Sequence, residues 1–102
     1  MAQTGVTPLE VVWLRKALLN LDEEATYIAQ ENPQAARQVV TYIVDAVELL
    51  SHHPGLGRPG RVPGTRELSV AKTRYVIPYR VRGQRIEILR VFHTSRKPRS
   101  QW

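Results

Sequence analysis

Leu14, Leu18, Leu21, Ala25 and Ile28 recur at spacings of four, three, four and three. That rhythm lays apolar side chains along one face of an α-helix, so it predicts a first helix of about four turns. The opposite face carries Asp22, Glu23 and Gln30, and the acidic run Asp22-Glu23-Glu24 is expected to be solvated. Asn32-Pro33 then places an N-cap residue before a proline at the first helical position, where its missing N–H costs nothing. A second stripe follows at Ala36, Val40, Ile43, Val47 and Leu50, and His52-His53-Pro54-Gly55 is expected to end it. The short connection makes the two helices an antiparallel hairpin. Before them, residues 9–13 (Leu-Glu-Val-Val-Trp) are β-branched and aromatic and suit a brief first strand, with Trp13 in the core.

After the hairpin the pattern changes. Residues 54–64 hold four glycines and three prolines, too many breakers for a periodic element, so they read as a loop carrying Arg58 and Arg61. Three β-rich runs follow, 66–70, 75–81 and 85–92, separated by turns at Lys72-Thr73 and Gly83. Alternation puts Tyr75, Ile77, Tyr79 and Val81 on one face and Arg74, Val76, Pro78 and Arg80 on the other. Pro78 has no N–H, so the ladder must carry an unpaired position or a bulge there. In the last run Ile86, Ile88, Arg90 and Phe92 alternate with Glu87, Leu89, Val91 and His93; both sets are largely apolar and the buried face is undetermined. The whole chain, 1–102, is expected to be one α+β domain. Its order is strand, helix, helix, strand, strand, strand, with the hairpin packed on one face of a small, twisted, mostly antiparallel sheet. The other sheet face is expected to be open for binding, and residues from about 94 onward, with Arg96, Lys97 and Arg99, to form an exposed basic extension.

Charge is divided along the chain. Of the fifteen lysines and arginines, twelve follow residue 50, against two acids there, Glu67 and Glu87, which leaves +10. The first half, with three basic and seven acidic residues, carries −4. The β-rich half should therefore present a cationic surface to an anionic partner: nucleic acid, anionic lipid or an acidic protein. The absence of cysteine excludes disulfides and thiolate metal sites, and no cofactor is expected. No stretch approaches the ~20 apolar residues of a membrane span, and the first residues lack the pattern of a signal peptide, so a soluble cytoplasmic protein without membrane partners is expected.

The ordered motifs resemble a known superfamily. A helical hairpin followed by residues 57–68 (Gly-Arg-Pro-Gly-Arg-Val-Pro-Gly-Thr-Arg-Glu-Leu), then 74–81 (Arg-Tyr-Val-Ile-Pro-Tyr-Arg-Val) and 88–93 (Ile-Leu-Arg-Val-Phe-His), is similar to toxins of the RelE/ParE superfamily. The resemblance spans roughly residues 10 to 96. It implies a toxin of a type II toxin-antitoxin system, held in a hetero-oligomer by a cognate acidic antitoxin whose disordered segment wraps the helices and sheet. Two activities occur on this scaffold. ParE-like members inhibit DNA gyrase, whereas RelE-like members cut mRNA on the ribosome, so fold resemblance does not choose between them.

RNA cleavage by the 2′-hydroxyl needs a base, an acid and cations for the phosphorane. The resemblance matches Arg74 and His93 to catalytic positions of RNA-cleaving relatives, with Glu67 or Lys72 as a further base or cation. Those relatives commonly place a tyrosine after the histidine, but here it is Thr94, and this chain has only three lysines. The Gly-Arg loop with residues 65–68 looks ParE-like, so the gyrase reading is preferred. On it Arg58, Arg61, Arg66, Arg74, Arg80 and Arg90 would meet target or antitoxin. A third reading is a basic nucleic-acid-binding module. Ordinary structural roles compete at each position: strand arginines can pair with Glu67 or Glu87, His93 can make a structural hydrogen bond, and Tyr75 and Tyr79 are expected to pack in the core. His52-His53 reads as a helix end, without the third ligand that a metal site requires.

Overall fold

Asn32 starts the second helix as its pattern predicts, its side-chain Oδ1 accepting the Ala35 N–H at 3.0 Å with Pro33 directly behind it. The computed structural model describes residues 7–95, so the basic extension expected beyond Ser95 lies outside the described residues. Along the chain run β1 (Glu10–Trp13), α1 (Arg15–Ala29), α2 (Pro33–Glu48), a 3-10 turn at Leu49–Ser51, β2 (Arg58–Pro59), β3 (Arg66–Ser69), β4 (Tyr75–Arg82), β5 (Arg85–Ile88) and β6 (Phe92–His93). The strands form one sheet in the order β1-β5-β4-β3-β2, with β6 also pairing β4. All pairs are antiparallel except β1 with β5. The fold is α+β, two helices on a mostly antiparallel sheet, as expected from the sequence.

The core lies between hairpin and sheet. Ile43, Val47 and Leu50 of the second helical stripe meet Leu68, Tyr75, Ile77, Tyr79, Ile86 and Ile88. Each such fully buried aliphatic side chain contributes about 1.5–3 kcal/mol. Tyr75 and Tyr79 are buried in this core, and His52 and His53 are exposed beyond the 3-10 turn that closes α2.

Four expectations change. The inner face of α1 is set by Ala17, Leu21 and Ile28, while Leu18 is 50 % exposed. Ala17, fully buried, takes the inward position that the apolar spacing had given to its neighbour Leu18. Glu24 is not on a solvated face: its Oε1 accepts the Tyr75 hydroxyl at 2.8 Å, tying α1 to the sheet. The breaker-rich loop contains β2, whose Arg58 and Pro59 pair with Glu67 and Arg66. Finally, the sheet face away from the helices is closed over its middle, where Val76, Pro78 and Phe92 are buried together with Glu67 and Glu87.

The last run is two strands because of Pro78. Ile88 pairs with Tyr79 and Phe92 with Val76, so Leu89, Arg90 and Val91 lie opposite only Ile77 and Pro78. Leu89 donates to the Pro78 carbonyl at 2.9 Å, but the missing Pro78 N–H breaks the ladder at that point. One extra residue makes a bulge, which reverses the alternation. Before it Ile86 and Ile88 face the helices, after it Val91 does, and Phe92 faces the other way beside Val76. Both apolar sets of this run are therefore needed, each on its own side of the bulge.

Candidate functional site

The Gly-Arg loop is held from beneath by Tyr79. Its hydroxyl donates to the Pro54 carbonyl and accepts the Gly57 N–H, both at 2.8 Å. Only glycine fits at 57, since a Cβ would stand 2.7 Å from the Tyr79 ring and 2.8 Å from the Glu67 carbonyl oxygen. Arg66 adds a hydrogen bond from Nη1 to the Gly57 carbonyl at 2.7 Å, so this half-buried arginine works on the loop itself. Glu67, 3 % exposed, accepts the Arg61 N–H at 3.2 Å and lies 3.7 Å from Arg58 Nη2. The loop thus has a rigid base and carries the exposed side chains of Arg58 and Arg61 outward.

A second cationic cluster lies at the β4–β5 end. Glu87, 6 % exposed, accepts Arg80 Nε at 2.6 Å and has Arg85 at 3.5 Å and Arg82 at 4.0 Å. The Arg80 hydrogen bond holds its carboxyl below the ordinary carboxylate value despite opposing burial, and the charges of Arg80 and Arg82 act in the same direction. Three arginines on one acid leave a local surplus of two positive charges. Arg90 is built into the bulge: its Nε donates to Asn20 Oδ1 at 3.0 Å, and its guanidinium lies 5.2 Å from the Phe92 ring centre. Asn20 Oδ1 also accepts the Val91 N–H at 3.1 Å, satisfying a donor that the bulge withdraws from the ladder. Asn20 escaped the sequence reading because its partners are seventy residues away, and no local pattern marks it.

The residues matched to RNA cleavage are only partly assembled. Lys72, Arg74 and Thr94 line an open hollow of about 550 Å³ with Ser69, Thr73, Tyr75 and Val76. His93 adjoins it, its ring edge-on to Tyr75 at 5.2 Å and its Nδ1 accepting the Ser95 N–H at 3.2 Å. Burial, and secondarily the charge of Arg74, push the imidazole below its ordinary value, favouring the neutral ring at pH 7. A neutral ring is a poor proton donor. Glu67 is absent from this hollow and committed to the loop. The hollow offers two cations and an imidazole, without a carboxylate.

Arg80 and Arg90 open instead onto a separate cleft shared with Arg15 and Lys16 of α1, two cations that the sequence reading left aside. Between α1 and α2, Ala25, Ala29, Pro33, Ala36 and Val40 line an apolar groove of about 530 Å³, edged by Thr26, Arg37 and Thr41. The exposed hydrophobic side chains of α1 include Leu18, Leu19 and Tyr27. No helix of the described residues is long and apolar enough to cross a membrane.

Comparison with known proteins agrees with this architecture. A protein of Sinorhizobium fredii named as a toxin, Y4kP, is 45 % identical over 85 residues, spanning 83 % of this chain and 88 % of that protein. Two Caulobacter vibrioides proteins follow: toxin RelE2, 34 % identical over 85 % of this chain and 97 % of its own length, and toxin ParE1, 32 % identical over 84 % and 90 %. Among solved structures, a chain of a chromosomal ParDE toxin-antitoxin system from P. aeruginosa superposes with a TM-score of 0.78 at 33 % identity, covering 88 % of this chain and all of that one. A chain of the RelBE2 toxin-antitoxin complex of Mycobacterium tuberculosis gives 0.57 at 26 % identity, covering 84 % and 98 %. The sequence model of the ParE toxin of the type II parDE toxin-antitoxin system matches residues 11–98, and the chain belongs to that family, within the RelE/ParE superfamily of toxins.

Proposed function

We propose that this toxin arrests growth by inhibiting DNA gyrase in the cytoplasm and that a cognate acidic antitoxin restrains it in a hetero-oligomer. The observation that carries the gyrase reading is the fate of Glu67. Glu67, the carboxylate matched to a possible base, is buried and bound to Arg58 and the Arg61 N–H. With His93 favouring its neutral form, able to accept a proton but not readily to donate one, and Thr94 standing where RNA-cleaving relatives commonly carry tyrosine, a general acid is poorly provided for. A protein-binding surface needs no such chemistry. Arg58, Arg61, Arg74, Arg80 and Arg90 are rim cations that would steer association with an acidic partner, with Arg66 bracing the loop beneath. The apolar groove on the hairpin would give an antitoxin segment the buried area that charge alone does not supply.

A second reading, ribosome-dependent mRNA cleavage, draws on Lys72, Arg74 and His93 around one hollow and on the similarity to toxin RelE2. One preparation decides between them. DNA supercoiling by purified gyrase and mRNA cleavage on translating ribosomes are assayed side by side. Loss of supercoiling with intact mRNA is the expected result, and cleavage with normal supercoiling would reverse the assignment. Expression of the chain without its antitoxin should arrest growth; unchanged growth at confirmed soluble expression would sink the toxin reading itself.

A further inference from the structure

The cleft beside the bulge is lined by Leu14, Arg15, Lys16, Val62, Thr65, Arg80, Leu89 and Arg90 and measures about 330 Å³. Four of these are cations, none is an acid, and they come from three separate parts of the chain: the start of α1, the middle of β4 and the bulge. Among the described residues, Arg15, Lys16 and Arg90 have no carboxylate within 4 Å. Arg80 has Glu87 at 2.6 Å, but the other three stand without a counter-charge; like charges so gathered repel one another, and the fold tolerates this where an anion completes the set. The first turn of α1 adds to the imbalance, since it carries no acid and its N-cap, Leu14, offers no side-chain acceptor.

The form of the patch points to a particular anion. Three of the four cleft cations are arginines, whose planar forks match phosphate oxygens. Arg90 is already oriented, by Asn20 at Nε and by the Phe92 ring, so little freedom is lost when its remaining N–H groups bind. The patch also continues past the cleft: Arg82 lies on the same face of β4 as Arg80, about 7 Å further along the strand. Arg85 pairs with it across the hairpin, and both share Glu87 with Arg80. A row of cations of this length suits a polyanion with regularly spaced charges better than one carboxylate side chain. We propose that this cleft and its Arg82–Arg85 extension bind the phosphate backbone of a nucleic-acid strand, with Leu14, Val62 and Leu89 against the sugars.

This goes beyond the gyrase reading and is tested without gyrase. Fluorescence anisotropy of a labelled DNA duplex, its single strand and a fluorescent nucleoside triphosphate is measured with the full chain between about 50 and about 200 mM salt. Duplex or strand should bind, with affinity falling steeply as salt rises. Lys16→Glu should weaken binding roughly tenfold and reduce the log–log salt slope by about 1. Arg37→Glu, the same charge change on α2 away from the cleft, should have little effect. Circular dichroism melts should show both variants folded, as expected for exposed residues. Equal losses in the two variants, absence of oligonucleotide binding at low salt, or binding of the triphosphate alone would each overturn the proposal.

Discussion

Tyr79→Phe isolates one oxygen on which the loop depends. The ring is fully buried and phenylalanine keeps its packing, so the change removes the hydroxyl and little else. Two groups lose a partner: the Gly57 N–H and the Pro54 carbonyl. Gly57 is buried, so its orphaned N–H costs about 1–3 kcal/mol, whereas the half-buried Pro54 carbonyl can recover water and costs less. A total near 2 kcal/mol follows, and at about 4–8 °C per kcal/mol for a domain of this size Tm should fall by about 8–16 °C. Guanidinium unfolding should show the same loss as a lower midpoint at unchanged slope. Tyr75→Phe is the internal comparison. It removes one hydroxyl whose Glu24 partner is half-exposed and can rehydrate, so about 0.5–1.5 kcal/mol is expected. A Tyr79→Phe cost below that of Tyr75→Phe, or below about 0.5 kcal/mol, would refute the view that this hydroxyl holds the loop.

Four further outcomes follow from the same geometry. Asn20→Ala should cost about 1–3 kcal/mol in denaturant unfolding, because the buried Val91 N–H and Arg90 Nε both lose their acceptor, while Asn20→Asp should recover most of it. Gly57→Ala forces a Cβ against the Tyr79 ring and the Glu67 backbone and should destabilise by at least about 1–3 kcal/mol, read as a lower midpoint. His93, depressed below its ordinary 6.5, is neutral in the fold while the unfolded chain still takes up a proton, so stability is complete above about that pH and declines as pH falls through it. Melts of the parent against His93→Gln should diverge below that pH. An NMR titration midpoint above 6.5 would contradict the assigned burial. Glu87 acts in a separate window: its depressed carboxyl stabilises the fold above the ordinary carboxylate value, and that contribution is lost in more acidic solution.

Periodicity was sufficient for the two helices and for every strand up to residue 88 except the two-residue β2, because those signals are local. Residues 36, 43, 47 and 50 must share a face whatever surrounds them, and Asn32-Pro33 starts a helix by chemistry confined to one turn. Pro78 likewise announced a broken ladder on its own, since a missing N–H is a property of the residue. Family membership was also legible, carried by the order of the motifs around the Gly-Arg loop. Tertiary contact decided everything that depended on a partner far along the chain. The bulge could be placed and the buried sides of Val91 and Phe92 assigned only once the register against β4 was known. Glu67 and Arg66 look like surface site residues in a one-dimensional pattern, yet the loop folding back on β3 buries the first and occupies the second. The same closure gathers Arg15 and Lys16 with Arg80 and Arg90 from opposite ends of the chain. Charge is written in the sequence, but which charges stand together depends on distances that only the folded chain sets.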